Sequence, residues 1–332
     1  MQSGASSRSA ARNNVARPVR TSPRSRGPPI GMWVRVLGSA AGGGFPQWNC
    51  ACPPCRAVRD GSRPARPRTQ SSIAVSPDYR RWFLLNASPD VHAQIEAFPA
   101  LHPSSDPHGG RLVPLQAVLL TDAEIDHTLG LLLLREGRGL VLHATETTRD
   151  TLYEGTSLLR TFEAYCPVRW QPVVPGADVP LEDGLSYRAF EVTTTKRARF
   201  GPGDEKGRVV GYRLTDEHSG RSLVYLPAVQ ELTATVRDQL EDCSCLLVDG
   251  TCWHDDELIR LGVAGRTARE MGHLPIGGPG GSLEQVSPLP IERKIYIHIN
   301  NTNPILLEDA PERRMVEQHG MEVAVDGLEI QL

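Results

Sequence analysis

The chain has 332 residues, 39% of them hydrophobic and 23% charged, enough to bury a substantial core in one large domain or two ordinary ones. No apolar run approaches the roughly 18 residues of a spanning helix, so no membrane span is expected. Seven cysteines, three of them inside six residues, do not suit a secreted disulfide framework and point to a reducing cytoplasm.

The formal net charge of −3 conceals an asymmetry. Residues 1–31 hold six arginines (Arg8, Arg12, Arg17, Arg20, Arg24, Arg26) and no acid; without them 30 basic residues face 39 acidic ones, a formal −9. This segment is rich in Ser, Pro and Gly, lacks hydrophobic periodicity and is expected to be disordered. An Arg-rich, acid-free start could read as a transit peptide or a nucleic-acid arm. Met32, however, stands immediately before an ideal first strand at 33–37, which favours a misread start or a dispensable tail. No nucleic-acid partner is expected, and residues 32–332 are read as the folded domain.

Next comes Cys50-Ala51-Cys52-Pro53-Pro54-Cys55, three thiols in one tight turn, which can converge on a tetrahedral zinc ion. Short apolar runs at 72–75, 82–85, 116–120, 139–142, 209–214, 222–225, 245–248 and 294–297 predict strands. Three-to-four spacing predicts helices at 91–98, 147–158, 231–240 and 308–318. Interleaved strands and helices imply a layered α/β fold, with one open sheet or two sheets between helices. Two strand-rich halves, about 32–145 and 205–332, would suit a pseudo-duplicated sandwich. Long Gly/Pro-containing loops at 193–208, which is basic, and 275–289 either border an active site or are plain surface insertions.

Three strand ends carry groups of metal-ligand type. Asp126-His127 follows the strand at 116–120, Asp249 follows 245–248, and His298 follows 294–297. Each alone is more often a hydrogen-bonded cap; together they predict one shared site, with His273 as a further ligand-orienting or catalytic candidate.

Asp126-His127 with the Gly130-Leu131 segment, Asp249-Gly250-Thr251 and a late strand-ending His298 resemble the ligand order of metallo-β-lactamase-type proteins. The Cys-x-Cys-x-x-Cys motif resembles the structural zinc site of their phosphodiesterase branch. The run from Gly38 to Phe45-Pro46-Gln47-Trp48-Asn49-Cys50, with Arg68-Thr69-Gln70-Ser71-Ser72, Asn86-Ala87-Ser88-Pro89-Asp90 and the segment from His298 to Leu306, resembles the coenzyme PQQ synthesis protein B family over about 32–332. The resemblance implies a metallo-β-lactamase-type αββα sandwich, two mixed β-sheets flanked by helices, in a single domain.

The two-metal hydrolases of that superfamily carry a His-x-His-x-Asp-His turn, which maps onto Asp122, Glu124, Asp126 and His127. Both leading histidines are replaced, and no histidine stands near Thr194 or Thr195, where a third would fall. One active-site metal is therefore expected, held by Asp126, His127, Asp249 and His298. Two histidines and one or two carboxylates with open positions suit a non-haem Fe(II) centre that binds dioxygen. Asp122, Glu124 and His273 are then expected to orient ligands or carry protons. Asn301 matches the position of the histidine that completes the zinc site of the phosphodiesterase branch. The resemblance further implies a part in making pyrroloquinoline quinone (PQQ), as an iron- and O2-dependent hydroxylase of the tyrosine in a Glu- and Tyr-containing peptide or dipeptide precursor. The expected partners are that precursor, O2 and the other PQQ biosynthesis proteins, with a homodimer as a candidate assembly. The rival readings are a non-catalytic carrier that passes PQQ or its precursor to the periplasm, and a residual hydrolase.

Overall fold

The computed structural model describes residue 1 and residues 31–104, 113–200 and 206–332. Residues 2–30 of the expected tail lie outside the described residues. Gly31, assigned to that tail from sequence, is buried, and the next residue, Met32, exchanges backbone hydrogen bonds with Leu332 at 3.0 and 2.8 Å.

In chain order the strands are β1 (Trp33–Gly38), β2 (Ser72–Ser76), β3 (Trp82–Leu85), β4 (Leu115–Leu119), β5 (Leu140–Ala144), β6 (Val168–Pro172), β7 (Asp178–Pro180), β8 (Leu185–Glu191), β9 (Val210–Asp216), β10 (Ser222–Leu226), β11 (Cys245–Asp249), β12 (Arg293–Ile297), β13 (Glu322–Val323) and β14 (Glu329–Gln331). They form two seven-stranded sheets, ordered β14-β1-β2-β3-β4-β5-β6 and β13-β12-β11-β10-β9-β8-β7. Both are mixed: β3 to β6 run parallel to one another, as do β10 to β13, while β1–β2 and β8–β9 pair antiparallel.

Period-two alternation builds the layers. Ile73, Val75, Phe83, Leu85 and Leu119 point between the sheets and meet Tyr187, Tyr212, Leu214, Tyr225, Leu247 and Ile295. The intervening Ala74, Leu84 and Val118 point outward, against Val91, Leu131, Leu152, Leu159 and Phe162 of the helical layer. On the other sheet Val224, Leu246 and Tyr296 point outward to Val236, Leu283 and Val316. The result is an αββα sandwich. Central strands buried on both faces need near-continuous apolar sequence, which is why 72–75, 82–85 and 245–248 read clearly as strands.

Several expectations need correction. The helix expected over 147–158 is three pieces, Glu146–Asp150, a π-turn at Thr151–Gly155 and a helix starting at Leu158, separated at Ser157 with its φ of 57°. The helix at 231–240 begins only at Ala234, after Thr233, whose hydroxyl caps it. The segment 275–289 is not a plain loop, since it contains the helix Ser282–Val286. The two halves are also displaced: the second sheet starts at β7, and β14 crosses back to pair with β1. Among the described residues no helix is long and apolar enough to cross a membrane.

Candidate metal centre

Parallel strands deliver their carboxyl ends to one edge of a sheet, where loops converge on a cleft. Here β4 leads into Thr121 and Asp122, β11 ends at Asp249, and β12 is followed by His298. The short helix α1 (Pro53–Asp60) lies near the cysteines, α2 (Val91–Glu96) follows β3, and α3 (Ile125–Thr128) carries Asp126 and His127. A cavity of about 660 Å3 opens over Asp122, Asp126, His127 and His298.

Asp126, His127 and His298 converge, each offering a ligand atom within 4.8 Å of the others. Asp126 Oδ2 lies 3.2 Å from His298 Nε2 and 4.0 Å from His127 Nε2. The far nitrogen of each ring is already engaged. His127 Nδ1 sits 2.9 and 2.8 Å from the two oxygens of Asp122. His298 Nδ1 sits 2.9 Å from Thr251 Oγ1. Both rings are thus oriented through Nδ1, with Nε2 turned to the Asp126 carboxylate, as ligating imidazoles are held by their outer partners. His127 Nε2 is buried and has no hydrogen-bond partner among the described residues. A buried polar atom left alone is costly, and a metal ion at the Nε2 side would satisfy it, so these three residues fit one ion.

The charges support the same placement. Burial works against ionising Asp122 and Asp126, but the neighbouring His127 holds both carboxyls below their ordinary range. Burial likewise opposes protonation of His127, yet Asp122 and Asp126 raise it to about 9. His298, buried beside two other imidazoles, is pushed below the ordinary value despite its bond to Asp126.

Asp249 stands apart from the Asp126 and His127 pair. Its carboxylate accepts from Val229 N (2.9 Å), Thr251 N (2.9 Å), Thr251 Oγ1 (2.6 Å) and His273 Nδ1 (2.7 Å). Asp249, His273 and His298 form a second group that shares His298, with the His273 and His298 rings stacked at 5.3 Å. Both Asp249 oxygens accept hydrogen bonds, and the ligand atoms of Asp249, His273 and His298 lie within 4.8 Å of one another. Glu124 faces outward, its Oε1 2.7 Å from Lys196 Nζ and its Oε2 3.7 Å from Arg199 Nε. Of the loop 193–208, the residues Thr194, Lys196, Arg197 and Arg199 line the cavity, whereas residues 201–205 lie outside the described residues.

The thiols of Cys50, Cys52 and Cys55 also converge within 4.8 Å. They do so at the start of α1, with Cys52 as its N-cap, so the expected tight turn is in part a helix start. Asn301 reaches them: its Nδ2 is 3.3 Å from Cys55 Sγ and 3.6 Å from Cys52 Sγ. Burial pushes the Cys52 thiol up to about 12, so zinc binding there must displace a tightly held proton.

Sequence reasoning missed Thr251, the hydroxyl that ties Asp249 to His298, although it stood in the quoted Asp-Gly-Thr string. Also missed was Asn86, which has a left-handed φ of 65° and whose Oδ1 accepts from Thr121 N at 3.0 Å, just ahead of the turn that carries Asp126 and His127. Lys196, the partner of Glu124, had only its place in a basic loop as a signal.

The profile of the Beta-lactamase superfamily domain matches residues 81–299. A coenzyme PQQ synthesis protein B from Methylococcus capsulatus is 48% identical over 309 residues, covering 91% of this chain and all of that one. The crystal structure of a Zn2+-bound PqqB from Methylobacterium extorquens superposes with a TM-score of 0.83 at 41% identity, over 90% of this chain and 100% of that one. A diphosphatase of the PhnP family shares the fold, with a TM-score of 0.65 at 19% identity over 91% and 98% of the two chains.

Proposed function

We propose, from the premise that the chain belongs to the coenzyme PQQ synthesis protein B family and the beta-lactamase superfamily, that it acts in PQQ synthesis as a non-haem iron, O2-dependent hydroxylase of the precursor tyrosine. The observation that carries this reading is the Asp126, His127 and His298 group, two imidazoles and one carboxylate facing an open cavity. That donor set with free positions suits Fe(II) oxygen chemistry. A bound Fe(II) would supply activation of dioxygen.

The chain's own residues do the rest. Asp122 and Thr251 fix the two ligand rings through Nδ1. Asp249 holds the Nδ1 proton of His273, which leaves His273 Nε2 to accept the phenol proton of a bound tyrosine. The cysteine group, with Asn301 beside it, is assigned to a structural zinc ion. None of the seven cysteines is in a disulfide, in keeping with a reducing cytoplasm as the compartment.

Iron-loaded protein should be incubated with a tyrosine-containing dipeptide and a chemical reductant, with and without O2. One oxygen atom is expected in a catechol product and the other in water, with two electrons and two protons from the reductant. Absence of any O2-dependent catechol would sink the proposal. If His298→Ala left PQQ production in cells unchanged, the carrier reading would replace it.

A further inference from the structure

The cavity is divided by charge. Its floor is acidic, with the largely buried Asp122 and Asp126, and its exposed rim carries arginines from two separate segments of the chain. Lys196 and Arg199 are matched by Glu124. Arg197, on the 193–200 segment, and Arg266, on the segment after the helix Glu257–Arg260, have exposed side chains and no hydrogen-bond or ion-pair partner among the described residues. Two unmatched arginines lining one cavity supply guanidinium donors for carboxylates.

We propose that Arg197 and Arg266 are the specificity-determining residues of this site, gripping the carboxylates of a small acidic peptide at the mouth so that only its uncharged end reaches the metal-binding floor. This deepens the hydroxylase reading and rests on it for the identity of that uncharged end, the tyrosine phenol. A peptide entering the other way round would leave both arginines unmatched. The arginines therefore choose the direction of entry as well as the class of substrate.

The test is a binding titration on the full chain loaded with Zn2+, which binds without turnover. The probes are glutamyl-tyrosine and the same dipeptide with both carboxyls amidated. The wild type is expected to favour the free acid, increasingly so as salt is lowered. Arg197→Gln and Arg266→Gln should each weaken acid binding by about five-fold, and the double variant by about 25-fold, with diamide binding unchanged. Arg266→Lys should recover most of the loss. Equal binding of the two probes to the wild type, or a double variant that still prefers the acid to the same degree, would overturn the proposal. Hydroxylation is scored separately on iron-loaded protein. Product from wild type without charge selectivity overturns the arginine assignment and leaves the hydroxylase standing. Charge-selective binding without product keeps the arginines and overturns the hydroxylase.

Discussion

Asp122 is placed to orient His127 from the side away from Asp126. Both of its oxygens face His127 Nδ1, and one also accepts from Thr121 Oγ1 at 2.9 Å. Asp122→Asn keeps the shape but removes the charge and one acceptor. Affinity for a divalent ion at the Asp126, His127 and His298 group should fall by about 10- to 100-fold, read by competition against a chromophoric chelator; an unchanged affinity would show that Asp122 does not orient the ring. A second histidine gives a pH prediction. His143 is buried, with Nδ1 2.9 Å from Tyr187 Oη, and burial, aided by Arg169, lowers it to about 4. The unfolded chain takes up this proton near pH 6.5 and the fold does not, so stability is lost as pH falls from about 6.5 towards 4, by up to roughly 3 kcal/mol. Urea midpoints at pH 7 and pH 5 should differ more for the wild type than for His143→Gln. The direct donors were legible because a lone His or Asp at the end of an apolar strand is conspicuous. Thr251, Asn86 and Lys196 were not, because a hydroxyl, an amide or a surface-type lysine gains its role only from neighbours distant in sequence.

At the scale of elements, α3 is a single turn, and its position depends on a close backbone approach. Gly130, just beyond it, donates its N–H to Ala87 O at 3.0 Å, and a Cβ there would stand 2.1 Å from Ser88 O and 2.7 Å from Ala87 O. Gly130→Ala must therefore move backbone and should cost about 3 kcal/mol, measured by denaturant unfolding, with weaker metal binding because Asp126 and His127 ride on the same turn. Gly42 is a milder case: a Cβ would meet Asp126 Oδ2 at 3.1 Å, so Gly42→Ala should shift the carboxylate and weaken metal binding with little effect on stability. Long apolar strands were readable from sequence, whereas one-turn helices such as α3 and the helix Glu257–Arg260 were not. A single turn lacks the repeats that make a 3.6-residue period visible. β8 escaped notice for a related reason: its Leu185, Tyr187 and Ala189 alternate with polar residues, and Ala189 is too small to mark an inward position from sequence.

For the whole molecule, the layered α/β class was legible from the alternation of strands and helices, whereas the two-sheet sandwich was legible only through the family resemblance and not from periodicity. That choice depends on pairings such as β1 with β14, which join residues almost the whole chain apart. The same long reach brings the cysteines, early in the chain, to Asn301 near its end. His298 and Asn301 lie three residues apart on the loop after β12, so one short stretch of backbone belongs to both donor groups. Ordering that stretch at either end lowers the conformational entropy still to be lost at the other. The two ions should therefore bind with positive coupling, and linkage makes the coupling reciprocal. Cys52→Ser should weaken binding at the Asp126 group although it touches none of its residues, and His298→Ala should weaken zinc at the cysteines. Titrating each ion with the other site filled and empty measures both arms of the cycle. A ratio of one would show that the shared loop carries no coupling; a ratio above one would make the filling of one pocket a condition for the fidelity of the other.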